Sequence, residues 1–309
     1  MSNSIAYRNY RIDNNNPQLA NKRHLIQNSN TIININDNIS YERFAQITQK
    51  FFKVNILEIE PTTQEIEKNI LEDLNILIDN LVNIFSQEIN KGKEVKGRKE
   101  LVYDYFNYYK INLQEIYHWL LNNQTFSYSI YLLGYFSYHG IGIEINKQDA
   151  FKLYQEAAEL GDMLAQFELA NMYINGNDID KDYGKAFKLS KKLSEKNFSC
   201  GMNMLGYCYR FGVGTSTDLQ KAFNLYQKAA DLGNIAGMYH LGRCYKNGLG
   251  TNVNYEKAFA LFQEAANYGI SSAQYYLALM YKKGHGTEKD MILATYWYKK
   301  STENKSKKN

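Results

Sequence analysis

Proline is nearly missing from this sequence. There are two in 309 residues, so little interrupts long helices. Cysteine is as sparse. Cys200, Cys208 and Cys244 are too few for a disulfide framework, which favours a reducing compartment, the cytoplasm. No apolar run approaches the ~18 residues of a membrane-spanning helix. The opening MSNSIAYRNYRIDNNN lacks the apolar core of a signal peptide, so no membrane partner is expected. Neither sign of charge is in large excess: 36 basic and 32 acidic residues leave +4, too mild to indicate a nucleic-acid partner. Hydrophobic residues, at 44%, suffice for a core, and tyrosine is abundant, with 27 copies.

The dominant feature is a repeat of 36 residues. Ala150, Ala186, Ala222, Ala258 and Ala294 follow one another at that step, as do Gly140, Gly176, Gly212, Gly248 and Gly284. Leu133, Leu169, Leu205, Leu241 and Leu277 keep it too. Each copy reads as two helices. In SCGMNMLGYCYRFG, Met202, Leu205, Gly206 and Tyr209 fall on one face of helix A. Helix B is preceded in every copy by Asn or Asp (Asn146, Asp182, Asp218, Asn254, Asp290), residues whose side-chain oxygen caps a first turn. It ends at Gly161, Asn197, Gly233 or Gly269, suited to the left-handed conformation that closes a helix. Helix pairs that each expose an apolar face stack to bury it. The expected fold is therefore all-α, an α/α solenoid of tandem helix pairs with an N-terminal helical cap.

The third copy carries a recognisable pattern: Gly201, Leu205, Gly206, Tyr209, Gly212, Gly214, then Asp218, Lys221, Ala222, Phe223, Tyr226, Lys228, Ala229, Ala230 and Gly233. It resembles the Sel-1-like repeat family. The tetratricopeptide repeat, at 34 residues, lacks the longer Gly-x-Gly loop. The resemblance implies a non-enzymatic adaptor that bridges proteins, with helices A lining the concave side. The asparagine-rich and lysine-rich style and the lead-in helices are similar to fungal members that sit beside a protein kinase, but no kinase motif is present here. Copy two departs from the pattern at Asp178 and at Leu193–Ser194, where a wider helix spacing or a change of curvature is expected.

The five repeats are placed at 127–162, 163–198, 199–234, 235–270 and 271–304. Residues 1–40 are rich in asparagine and read as disordered. Residues 41–124 form an N-terminal helical region. Within it, Ile66, Ile70, Leu74, Leu77, Leu81 and Phe85 make a helical stripe, and GKEVKGRKE reads as a solvated linker. Residues 97–124 read as a degenerate repeat in which Asn112 and Glu115 form a capping box. A basic tail, 303–309, follows. Nothing obvious covers the last repeat, which leaves a face open to a second copy or another molecule.

The glycine pairs GIGI, GVGT, GLGT and GHGT follow a helix and lack a downstream Gly-Lys-Ser/Thr, so they read as repeat loops, not phosphate cradles. No His, Cys or carboxylate spacing suggests a metal site, cofactor or catalytic group. Function is sought where the repeat columns vary, on the non-core face of helix A, which the resemblance places on the concave side. The expected peptide-binding residues are Tyr131, Tyr135, Tyr207, Arg210, Tyr239, Arg243, Lys246, Tyr275 and Lys282. Tyrosine and arginine recur at binding hot spots, and the basic residues favour an acidic partner. A regulator of one client enzyme, a hydrolase and a nucleic-acid binder remain as alternatives.

Overall fold

The computed structural model describes residues 61–92, 96–176 and 179–306. The chain divides into two compact units, 1–59 and 60–309, and the described residues belong to the second. The tract at 1–40, expected to be disordered, and the Asp178 loop position lie outside the described residues. Among the described residues there are thirteen helices and no strand.

Three lead-in helices come first: α1 (Pro61–Asn90), α2 (Lys96–Tyr108) and α3 (Leu113–Asn122). Five A/B pairs follow. They are α4 (Ser127–His139) with α5 (Lys147–Glu159), α6 (Met163–Asn175) with α7 (Tyr183–Glu195), and α8 (Ser199–Phe211) with α9 (Leu219–Asp231). The last two are α10 (Ile235–Asn247) with α11 (Tyr255–Asn267), and α12 (Ser271–Lys283) with α13 (Met291–Ser306). Each A helix packs on its own B helix, and each B helix packs on the next A helix. The result is an all-α solenoid. The final helix runs four residues beyond Thr302, so most of the expected basic tail is helical.

The recurrent residues take the conformations their chemistry favours. Asn146, Asp182, Asp218 and Asn254 each accept a first-turn backbone N–H, and Asp290 accepts those of Ile292 and Leu293. Asn197 adopts φ 58°, matching the glycines that close the other B helices.

Packing between the helices of a pair explains the mid-helix small residue. A Cβ on Gly206 would lie 2.8 Å from the Tyr226 ring, and one on Gly242 would lie 3.0 Å from Phe262. Where the ring is absent, the glycine is absent too: repeat 2 pairs Ala170 with Ser190. Glycine costs a helix about 1 kcal/mol, and the buried ring offsets it. Leu193, the large residue of repeat 2, is likewise accommodated by Gly201 opposite, whose Cβ would meet the Leu193 backbone.

The loop glycines are similarly constrained. Gly214 has φ 67°, and a side chain there would strike the carbonyl of Tyr183, the first residue of the preceding B helix. The loop is thus filled by the protein's own backbone. Gly142 stands in the same relation to Leu113, so α3 meets repeat 1 as a B helix would. Asn112 caps α3 by accepting the Gln114 N–H at 2.8 Å, while Glu115 accepts the N–H of Asn112.

Candidate peptide-binding site on the helix A face

The helix A face has two parts. Over the early repeats it is covered by the chain itself. The apolar stripe of α1 buries Leu74, Ile78, Leu81 and Phe85 completely, and the Phe85 ring meets the edge of Tyr135 at 4.9 Å on α4. The C-terminal end of α1 then meets the N-terminal ends of α8 and α10. Phe198 provides no side-chain cap for α8, and Asn90 replaces it by accepting the Ser199 N–H at 2.7 Å. The Lys91 carbonyl accepts the Ile235 N–H at 2.8 Å, and Asn234 Nδ2 donates to the Asn90 carbonyl at 2.9 Å. The Cys200 thiol donates to the carbonyl of Ile89. The end of α1 thereby satisfies one orphan N–H of each of two other helices, that of Ser199 through the Asn90 side chain and that of Ile235 through the Lys91 carbonyl, and its negative dipole end faces their positive ends.

This arrangement corrects the expectation for Tyr131 and Tyr135. Both are fully buried, so neither faces an open groove. The linker reading also fails at Arg98. This residue lies on α2, is 4% exposed, and donates to Glu168 of α6 at 2.7 Å. A signal for the covering exists in the sequence. Helix α4, SYSIYLLGYFSYH, is apolar or uncharged on every side except its end, as a helix buried all round must be.

The second part of the face is open. Tyr207, Arg210, Tyr239, Arg243 and Lys246 are half-buried, and Tyr275 and Lys282 are exposed. Arg243 lies over the Tyr239 ring at 5.8 Å, and Lys246 over Tyr276 at 5.2 Å. His240 stacks on Tyr226 at 4.9 Å. Burial, reinforced by Arg210 and Arg243, lowers the His240 pKa to about 3, so the ring is neutral at pH 7. Buried atoms without a hydrogen-bond partner gather here: Arg210 Nη1, Arg243 Nε, His240 Nδ1 and Asn203 Oδ1. Between the end of α1 and this stretch is a cleft of about 310 Å³ lined by Gly92, Asn171, Asn175, Asn203, Tyr207 and His240. Asn203 falls in the variable column of Tyr131, Tyr239 and Tyr275, whereas His240 belongs to the neighbouring column of Leu132, Glu168, Met204 and Tyr276, which the sequence does not mark as facing the groove.

The family model described as Sel1 repeat matches residues 127–162, 164–198, 201–234, 235–269 and 271–306. The chain belongs to the Sel1 repeat family. Such proteins are generally non-catalytic, protein-binding scaffolds. Among solved structures, the chain is 32% identical to a Sel1 repeat protein from Oxalobacter formigenes, with a TM-score of 0.54 over 59% of this chain and 73% of that one. It also shares its fold with c5321, a protective antigen of uropathogenic Escherichia coli displaying an SLR fold. Identity there is 20% and the TM-score 0.53, over 91% of this chain and 56% of that one. No match was found among curated proteins. Among the described residues, no helix is long and apolar enough to cross a membrane.

Proposed function

We propose that this Sel1 repeat protein is a non-enzymatic adaptor that holds a peptide segment of a partner protein against the open helix A face of repeats 3 to 5. The observation that carries this reading is the contrast along one face. Where α1 and α2 stop, the same columns present Tyr207, Tyr239 and Tyr275 beside Arg210, Arg243, Lys246 and Lys282. Among the described residues, none of these four cations pairs with a carboxylate. Aromatic rings supply area at low entropic cost, and the cations favour an acidic segment. Three free cysteines, all buried, support a reducing compartment such as the cytoplasm. The family resemblance supports a role in signalling complexes.

The last repeat supports a further contact. Helix α13 leaves Met291, Ile292 and Tyr298 exposed, with Ile292 82% accessible, a face on which a second copy could stack.

Affinity capture from the native cell tests the adaptor reading. The wild type is compared with a Tyr207→Ala, Tyr239→Ala, Arg243→Ala, Lys246→Ala variant of equal helix content. Partners lost only from the variant support the open face as the site. An unchanged partner set overturns it. A single stoichiometric enzyme among the lost partners, with an altered rate, would favour regulation of one client.

A further inference from the structure

We infer that Arg210 and Arg243 form a carboxylate subsite, which takes one acidic side chain of the bound peptide. This rests on the groove reading above and specifies its chemistry. The two arginines come from adjacent A helices, α8 and α10, which pack directly on each other. Both guanidinium groups act on the same two neighbours, the His240 ring and the Tyr226 hydroxyl. The Tyr226 hydroxyl lies beside Arg210 and can take one of its bonds, but Arg210 Nη1 and Arg243 Nε are shielded from water and have no hydrogen-bond partner, although a guanidinium can donate five bonds in a fixed fork. A buried donor left unmade is costly, so the pair calls for an acceptor. His240 is neutral and adds no charge, and no carboxylate of the described residues pairs with either arginine.

The protein itself shows which acceptor suits the groove. Two repeats earlier, Arg98 meets Glu168 at 2.7 Å. Glu168 and His240 occupy the same register of helix A, 72 residues apart. Repeat 2 thus supplies its own carboxylate to an arginine in the groove, whereas repeat 4 places a neutral imidazole there and leaves two arginines without one. The missing acid has to come from outside. A carboxylate accepts from planar guanidinium groups in the geometry that Arg98 already displays. Asn203 Oδ1 and His240 Nδ1, also unpartnered and at the edge of the 310 Å³ cleft, can take N–H groups of the same peptide.

The test is selection of a phage-displayed library of random, unphosphorylated peptides on the full chain, repeated on an Arg210→Gln, Arg243→Gln variant of equal helix content. The expected result is Asp or Glu enriched at one fixed position. The selected peptides should bind the variant at least about tenfold more weakly, the scale of a hydrogen bond to a charged group. An Arg210→Lys, Arg243→Lys variant keeps the charge but loses the fork. It should retain the acidic preference with reduced affinity, and it serves if the glutamine variant does not fold. Selected peptides without a fixed acid, or bound equally by wild type and variants, overturn the carboxylate subsite and leave the groove reading intact. Failure to select any peptide that competes at the helix A face overturns the groove reading itself.

Discussion

Tyr131 and Tyr275 occupy the same position of the repeat, four units apart, yet one is fully buried and the other 39% exposed. The local sequence pattern does not separate them. What separates them is the lead-in: Phe85 of α1 packs on the neighbouring Tyr135, Arg98 of α2 lies beside Tyr131 and Tyr135, and α1 ends at the N-termini of α8 and α10. A solenoid column is therefore core or surface according to what covers it. In this chain, one half of a potential binding face has become a second hydrophobic core.

The largest effect that can break this comparison is a matched truncation. Tyr131→Ala should destabilise the protein by about 3–5 kcal/mol, as expected for deleting a buried aromatic. Tyr275→Ala should change stability by no more than about 0.5 kcal/mol. Urea unfolding of both variants measures the difference. Equal losses would mean that α1 does not hold its place over the early repeats in solution.

The repeats themselves were fully legible, because their columns recur and each recurrence has a local cause: a cap at Asn254, a closing Asn197, a glycine at Gly206 that admits a ring. The covered half was only half legible. The stripe Leu74, Leu77, Leu81 and Phe85 announces that α1 buries a face, but a stripe does not name its counterpart. Arg98 was misread because a charged run such as GKEVKGRKE is usually solvated, and its partner Glu168 is seventy residues away. Conversely, the open half was legible as a list of residues. The grouping of Arg210, Arg243 and His240 required two helices to be brought together.

A smaller effect probes the polar contact within the covered half. Glu168→Gln removes the counter-charge of the buried Arg98 guanidinium. It should cost about 2–3 kcal/mol, somewhat below a fully buried pair because Glu168 retains some exposure. Substituting both, as Arg98→Met with Glu168→Met, should recover most of the loss. Hydrogen exchange should report faster opening of α2 in the single variant and near-normal protection in the double one.

Protonation sharpens the contrast further. Burial, with Arg98 and then Lys99 nearby, lowers the His139 pKa to about 4 from its ordinary 6.5. The folded state resists the charged ring, so the unfolded chain binds more protons between those values. Stability then falls as pH drops through that window, by at most about 1.4 kcal/mol per pH unit. Asp162 works in the opposite direction, since burial raises its carboxyl to about 6 and ionisation is penalised as pH rises from about 4. His139→Gln isolates the histidine. The variant should lose less stability than the wild type between pH 6.5 and 5, and identical losses would contradict the burial of His139.

The smallest effect serves as the control for all of these. Asn146 caps α5 below the covered half and Asn254 caps α11 below the open half, each accepting a backbone N–H at 3.1 and 2.8 Å. Both caps lie at the start of a B helix, away from α1. Asn146→Ala and Asn254→Ala should each cost about 1 kcal/mol, with little difference between them. Similar losses would show that the two halves are built alike in their own repeats and differ only in what lies upon them. A much larger loss at Asn254 would locate the difference within the repeats, and the covering helix would then be its consequence.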